Sequence, residues 1–90
     1  MAMTPLVHLN GTSAEELTRQ YEAAYRALDE ARDKVAAAAP NGRDYYPLGP
    51  DAYTQAAREH EDRMKKLNLV FADIETTLMA LLDGASGGER

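Results

Sequence analysis

Apolar and small residues recur at Leu17, Tyr21, Ala24, Leu28, Ala31, Val35 and Ala38, alternately four and three positions apart. That spacing predicts an α-helix with a heptad seam along one side, the pattern of coiled-coil packing. The helix is expected over residues 13–39. It opens at Thr12 or Ser13, where Thr12 with Glu15, or Ser13 with Glu16, makes a capping box. Pro40 stops it. A second seam runs through Tyr53, Ala57, His60, Met64, Leu67, Phe71, Ile74, Leu78 and Leu81. It predicts a helix over 52–83, with Asp51 as N-cap and Gly84 just past the end. Oppositely charged pairs at i,i+4 line the outer faces: Glu15–Arg19, Glu22–Arg26 and Glu30–Lys34, then Glu59–Arg63, Glu61–Lys65 and Asp62–Lys66.

Two seamed helices joined by residues 40–50 predict an all-α fold, an antiparallel, coiled-coil-like two-helix hairpin. Leu6-Val7-His8-Leu9 is β-prone and reads as a short extended segment, with no second strand-like run to pair with. Residues 1–84 form one domain, and 85–90 are expected to be a flexible tail.

Size and composition add an expectation of self-association. Ninety residues bury a limited core, and the chain has no cysteine for a disulfide or thiolate metal site. Leu69, Val70, Met79 and Leu82 widen the apolar face of the second helix beyond what one partner helix needs. The hairpin is therefore expected to assemble into an oligomeric helical bundle. LVHL over the end of the second helix is the other way to cover that face.

Net charge is −5 with a pI near 4.9. Nonspecific nucleic-acid binding needs a basic surface and is not expected. A small anion in one local basic pocket remains compatible. The N-terminus lacks a basic n-region, and Asp73 and Glu75 interrupt the longest apolar run near the C-terminus. The chain is expected to be cytoplasmic and not to bind membranes. The sequon Asn10-Gly11-Thr12 is set aside for want of a secretion signal.

No catalytic motif is present, and neither an enzyme nor a cofactor is expected. His60-Glu61-Asp62-Arg63-Met64 starts like a zinc-protease helix, but Met64 stands where the second histidine belongs. No Glu-x-x-His pair exists for a di-iron bundle. His60 lies on the seam, where a polar residue sets register or meets a partner. His8 has no second histidine near it.

Two stretches carry candidate chemistry. The first is His8-Leu9-Asn10-Gly11-Thr12-Ser13, which ends at a helix N-terminus. It reads as a capped helix entry, or as a contact in which Asn10, Thr12 or Ser13 meets an anion or a base edge. The second is Pro40 to Tyr53, PNGRDYYPLGPDAY. Asn41-Gly42 marks a turn, and the prolines stiffen the rest of the connection. A rigid connector explains Pro47, Leu48, Gly49 and Pro50. It explains Arg43, Tyr45 and Tyr46 less well. Arginine forks onto phosphate and tyrosines stack on bases, so Asn41, Gly42, Arg43, Tyr45 and Tyr46 read as a contact surface. The two stretches lie at opposite ends of the first helix, roughly 37 Å apart. A site combining them would have to lie between subunits.

The opening His8–Ser13, the central Asn41-Gly42-Arg43-Asp44-Tyr45-Tyr46, and then Glu59-His60 and Arg63 form an ordered pattern. In it the chain resembles a group of small phage and prophage proteins, over about residues 7–82. The resemblance implies phage origin. Small phage accessory proteins of this size commonly counter host defence, either by binding defence proteins or as oligomeric sponges for nucleotide signals. The expected function is thus non-enzymatic sequestration of a nucleotide-like signal at inter-subunit sites. The alternative is a protein–protein inhibitor of anti-CRISPR or anti-restriction type, acting through acidic helical faces.

Overall fold

A computed structural model describes residues 3–5 and 13–87. Leu6–Leu9, Asn10 and Thr12 lie outside the described residues, so the extended segment and most of the opening stretch do too. The described chain is helical, with no strand among the described residues. Helix α1 spans Ala14–Ala37, a single helical turn α2 spans Gly42–Tyr45, a 3₁₀ turn follows at Tyr46–Leu48, and α3 spans Ala52–Gly87. The hairpin is rod-like, 62 × 20 × 20 Å with a radius of gyration of 19.0 Å, where a compact domain of this length has about 12 Å.

At the start of α1 the structure shows the serine half of the Ser13–Glu16 box, and Thr12 lies outside the described residues. Ser13 is the N-cap of α1, and its hydroxyl accepts from the Glu16 N–H at 3.1 Å. That satisfies one of the donors a helix start leaves open. At the other end Ala38 caps the helix and donates back to Val35. Ala38 therefore falls off the seam and is exposed.

The helices run antiparallel. Tyr25 meets Phe71, while Arg32, one heptad further along α1, bonds Asn68, earlier in α3. Leu17 to Val35 on α1 and Ala57 to Leu81 on α3 are turned inward at every seam position. Tyr53, the first seam residue of α3, is exposed instead. It stands at the first turn, beyond the end of α1.

Burial is uneven along the rod. Among the described residues the buried ones are Phe71, Leu78, Leu81 and Thr77, all in the second half of α3. Each apolar one contributes about 1.5–3 kcal/mol. Thr77 is 2% exposed, and its hydroxyl donates to the Asp73 carbonyl at 3.3 Å, so its polarity is answered within the helix. Toward the loop, α1 offers Ala31 and Val35, short side chains that leave their surroundings half open.

Outside the seam, Glu15–Arg19, Glu22–Arg26 and Asp62–Lys66 pair at 3.9, 3.5 and 3.0 Å. Exposed pairs of this kind contribute about 0.3–0.5 kcal/mol each. Glu59 instead accepts from the Gln55 side chain at 3.1 Å. Gly84 does not close α3, which continues to Gly87. A closing glycine must turn left-handed. Gly84 keeps a negative φ, and the positive-φ glycine among the described residues is Gly49.

Candidate functional site

The segment from Pro40 to Asp51 closes the hairpin, and it is built rather than slack. Asn41 is the N-cap of α2: its side-chain oxygen accepts from the Arg43 N–H at 2.9 Å, and its carbonyl accepts from the Asp44 N–H at 2.9 Å. Asn41-Gly42 is thus a helix start, not a hairpin-type turn; Gly42 is the first helical residue and has no positive φ. Within the connection expected over 40–50, the backbone forms a helical turn at Gly42–Tyr45 and then a 3₁₀ turn at Tyr46–Leu48. The cause is the Asx cap followed by Pro47, whose ring suits the start of a 3₁₀ turn.

Gly49 then sits at φ 115°, ψ 166°, a region open to glycine alone. It reverses the chain before Pro50, and its carbonyl accepts from the Ala52 N–H at 3.3 Å. The Asp51 carbonyl accepts from the Gln55 N–H at 3.0 Å as α3 begins. Each of these residues has a backbone task.

The side chains divide into two groups. Tyr45 is half-buried and lies against the start of α3. With Leu48, Ala52, Gln55, Ala56 and Glu59 it lines a shallow cleft of about 210 Å³. Tyr46 and Leu48 stand out from the tip at 77% and 73% exposure. Tyr53 is the third large residue left exposed at this end. Arg43 is exposed and has no carboxylate within ion-pair distance among the described residues.

Gly42 is informative for a different reason. A methyl group added there would meet nothing within 4 Å. Neither space nor backbone geometry in this chain requires glycine at that position.

Of the predicted site residues, the structure groups Asn41, Gly42, Arg43, Tyr45 and Tyr46 at one tip. Ser13 sits at the opposite end of α1, whose 24 residues span roughly 36 Å. Within one chain Ser13 does not join the tip cluster. Asn10 and Thr12 lie outside the described residues. The oxygens of Asn41 and Ser13 are both engaged as caps.

Sequence reasoning missed Tyr25, Arg32 and Asn68. Arg32 lies with its guanidinium 3.7 Å from the Phe71 ring centroid. It donates to Asp29 at 2.9 Å and to Asn68 at 3.2 Å. Its Nε is buried with no hydrogen-bond partner. The available signal was the i,i+7 pair Tyr25 and Arg32 beside the seam. His60 is half-buried on the α1-facing side of α3. No group of three or more metal-ligating side chains occurs among the described residues, and no described helix is long and apolar enough to cross a membrane.

Comparison with protein families, with characterised proteins and with solved structures finds no match to this chain.

Proposed function

We propose that the protein is a non-enzymatic binding protein whose working surface is the hairpin tip, and that its partner is another protein. The exposed pair Tyr46 and Leu48 carries this reading. Exposed apolar surface beside tyrosine and an exposed arginine is the composition of a protein-contact hot spot. The backbone of the tip is also restrained before any partner arrives, by the Asn41 cap and by Pro47 and Pro50, whose rings fix φ. A pre-organised surface loses less entropy on binding. Gly42 fits the same picture, since the absence of a side chain lets a partner approach the backbone closely. The phage-type resemblance supplies the setting: a host defence protein, inhibited by contact.

Sequestration of a nucleotide-like signal is the second reading, favoured by Arg43 beside two tyrosines. Within one chain the geometry supports it less. The cleft under Tyr45 is about 210 Å³, below the ~300–1,000 Å³ of ordinary small-ligand pockets. Glu59 also puts a carboxylate on its wall. A second subunit would have to complete such a site.

The test is co-purification of the tagged protein from its native host cell. Wild type should retain one defined protein in stoichiometric amount. Arg43→Ala combined with Tyr46→Ala and Leu48→Ala should lose it, while Lys65→Ala keeps it. Equal retention by the tip variant would remove the tip from the contact. A thermal-shift screen with cyclic dinucleotides, cyclic trinucleotides and ADP-ribose isomers decides the second reading, because a ligand specific for the folded state raises the melting point.

A further inference from the structure

The shallow cleft of about 210 Å³ beside the tip is walled by Tyr45 and Leu48 on one side and by Ala52, Gln55, Ala56 and Glu59 of α3 on the other. The α3 members recur three and four residues apart, so they share one face of the helix. Ala52 and Ala56 are half-buried and make a small apolar floor. Glu59 is the one charged residue of the lining. We propose that this cleft receives a single cationic side chain, a lysine or an arginine, of the partner protein that contacts the tip. The inference rests on the protein-binding reading of the tip and states what that partner must carry.

Three observations select this occupant. The first is the setting of Glu59. Its spacing pairs it with Arg63, yet the ion pairs among the described residues are Glu15–Arg19, Glu22–Arg26, Asp29–Arg32 and Asp62–Lys66. The Glu59 carboxylate accepts instead from the Gln55 side-chain amide, one turn nearer the tip, at 3.1 Å. A neutral amide orients a carboxylate without cancelling its charge. A partner that covers a carboxylate strips its water, and an opposite charge offsets that loss. An apolar or anionic occupant would leave it uncompensated.

The second is the order of the lining. Lysine and arginine lay a carbon stem along apolar surface while the charged head reaches a polar group. Along α3, Ala52 and Ala56 lie one turn apart and Glu59 follows on the same face. The stem has a floor and the head has an acceptor at its end. An aromatic ring within about 6 Å attracts the same head, and Tyr45 is in the wall.

The third is position. Leu48 lines the cleft and, with Tyr46, is the exposed apolar pair of the tip. A partner covering that pair reaches the mouth of the cleft. The volume is below the ~300–1,000 Å³ of small-ligand pockets, on the scale of one side chain carried in on a protein surface. The chain's net charge of −5 draws a basic surface toward it.

The experiment measures how much host protein tagged variants retain on co-purification from the native host cell, relative to wild type, with helical content checked by circular dichroism. Glu59→Gln keeps the shape and can still accept from Gln55, but removes the charge. Its retention should fall about tenfold. Gln55→Lys, at an exposed position, sets the chain's own cation four residues before Glu59 and should cause a similar loss. Glu61→Gln removes the same charge outside the cleft and should retain the wild-type amount. Full retention by either folded cleft variant, the result an apolar occupant would give, overturns the proposal. Equal loss in Glu61→Gln would show an effect of net charge alone and also overturns it. If Glu59→Gln loses its helices, Gln55→Lys decides. The combined Arg43, Tyr46 and Leu48 variant separates the two readings. Its loss of the partner alongside full retention by Glu59→Gln leaves the tip contact standing without the cation, whereas full retention by all variants, or a wild type that holds no protein, removes both.

Discussion

The Arg32 guanidinium lies over the face of the Phe71 ring, 3.7 Å from its centroid. The same ring meets Tyr25 at 4.8 Å. Asp29 and Asn68 hold two edges of the guanidinium. One charged side chain thus ties α1 to α3 at the inner edge of the buried stretch. The unpartnered, buried Nε is the cost of that placement.

Replacing Arg32 should therefore destabilise the hairpin. Arg32→Met, which keeps an unbranched stem, is expected to lose about 1–2 kcal/mol through the lost ring contact and bonds. Arg32→Lys should restore only part, since an ammonium cannot keep both hydrogen bonds and the stacked plane. A double-mutant cycle with Phe71→Leu, read by urea denaturation at one fixed protein concentration, should show a coupling of about 0.5–2 kcal/mol. Strictly additive losses would show that the ring contact is incidental.

Ser13→Ala removes the side-chain cap of α1 and should lower stability by about 1 kcal/mol. Ser13→Asp should hold or raise it, because a carboxylate caps and also favours the helix N-terminus. Thermal unfolding followed at 222 nm measures both, at about 4–8 °C per kcal/mol for a chain of this size. An unchanged midpoint for Ser13→Ala would place the cap elsewhere.

The two glycines of the tip should behave oppositely. Gly49→Ala forces a side chain into a conformation open to glycine alone and should cost about 1–3 kcal/mol. Gly42→Ala meets no atom and replaces glycine in a helical turn, so stability should be unchanged or gain up to about 1 kcal/mol. If the tip is the contact surface, Gly42→Ala weakens partner binding while the fold holds. Urea midpoints and partner retention measure the two effects separately.

The hairpin was legible because its seam is regular. From Leu17 to Val35 and from Ala57 to Leu81, four-three spacing marks the inward face correctly. The pattern failed where periodicity ends and local chemistry takes over. Gly84 looked like a helix stop, yet glycine permits a left-handed turn without requiring one. Asn41-Gly42 carried a turn signature, yet the asparagine side chain caps a helical turn instead. Arg32 was invisible because an arginine beside a seam reads as solvated until Phe71, far along the chain, is seen beneath it. At the tip, residue types suggested contact, but which tyrosine is exposed was decided by the packing of Tyr45 on α3.

Contact between the tip and another protein is open to direct capture. Photocrosslinking in the native host cell, from a benzoylphenylalanine placed at position 46, tests it, with position 65 on the solvated face of α3 as control. One dominant crosslinked species is expected from position 46, of mass above twice that of the chain or otherwise distinct from it, weakened by Arg43→Ala and absent from position 65. Equal labelling from both positions, or a position-46 product that is only the chain joined to itself, would contradict a protein-binding tip.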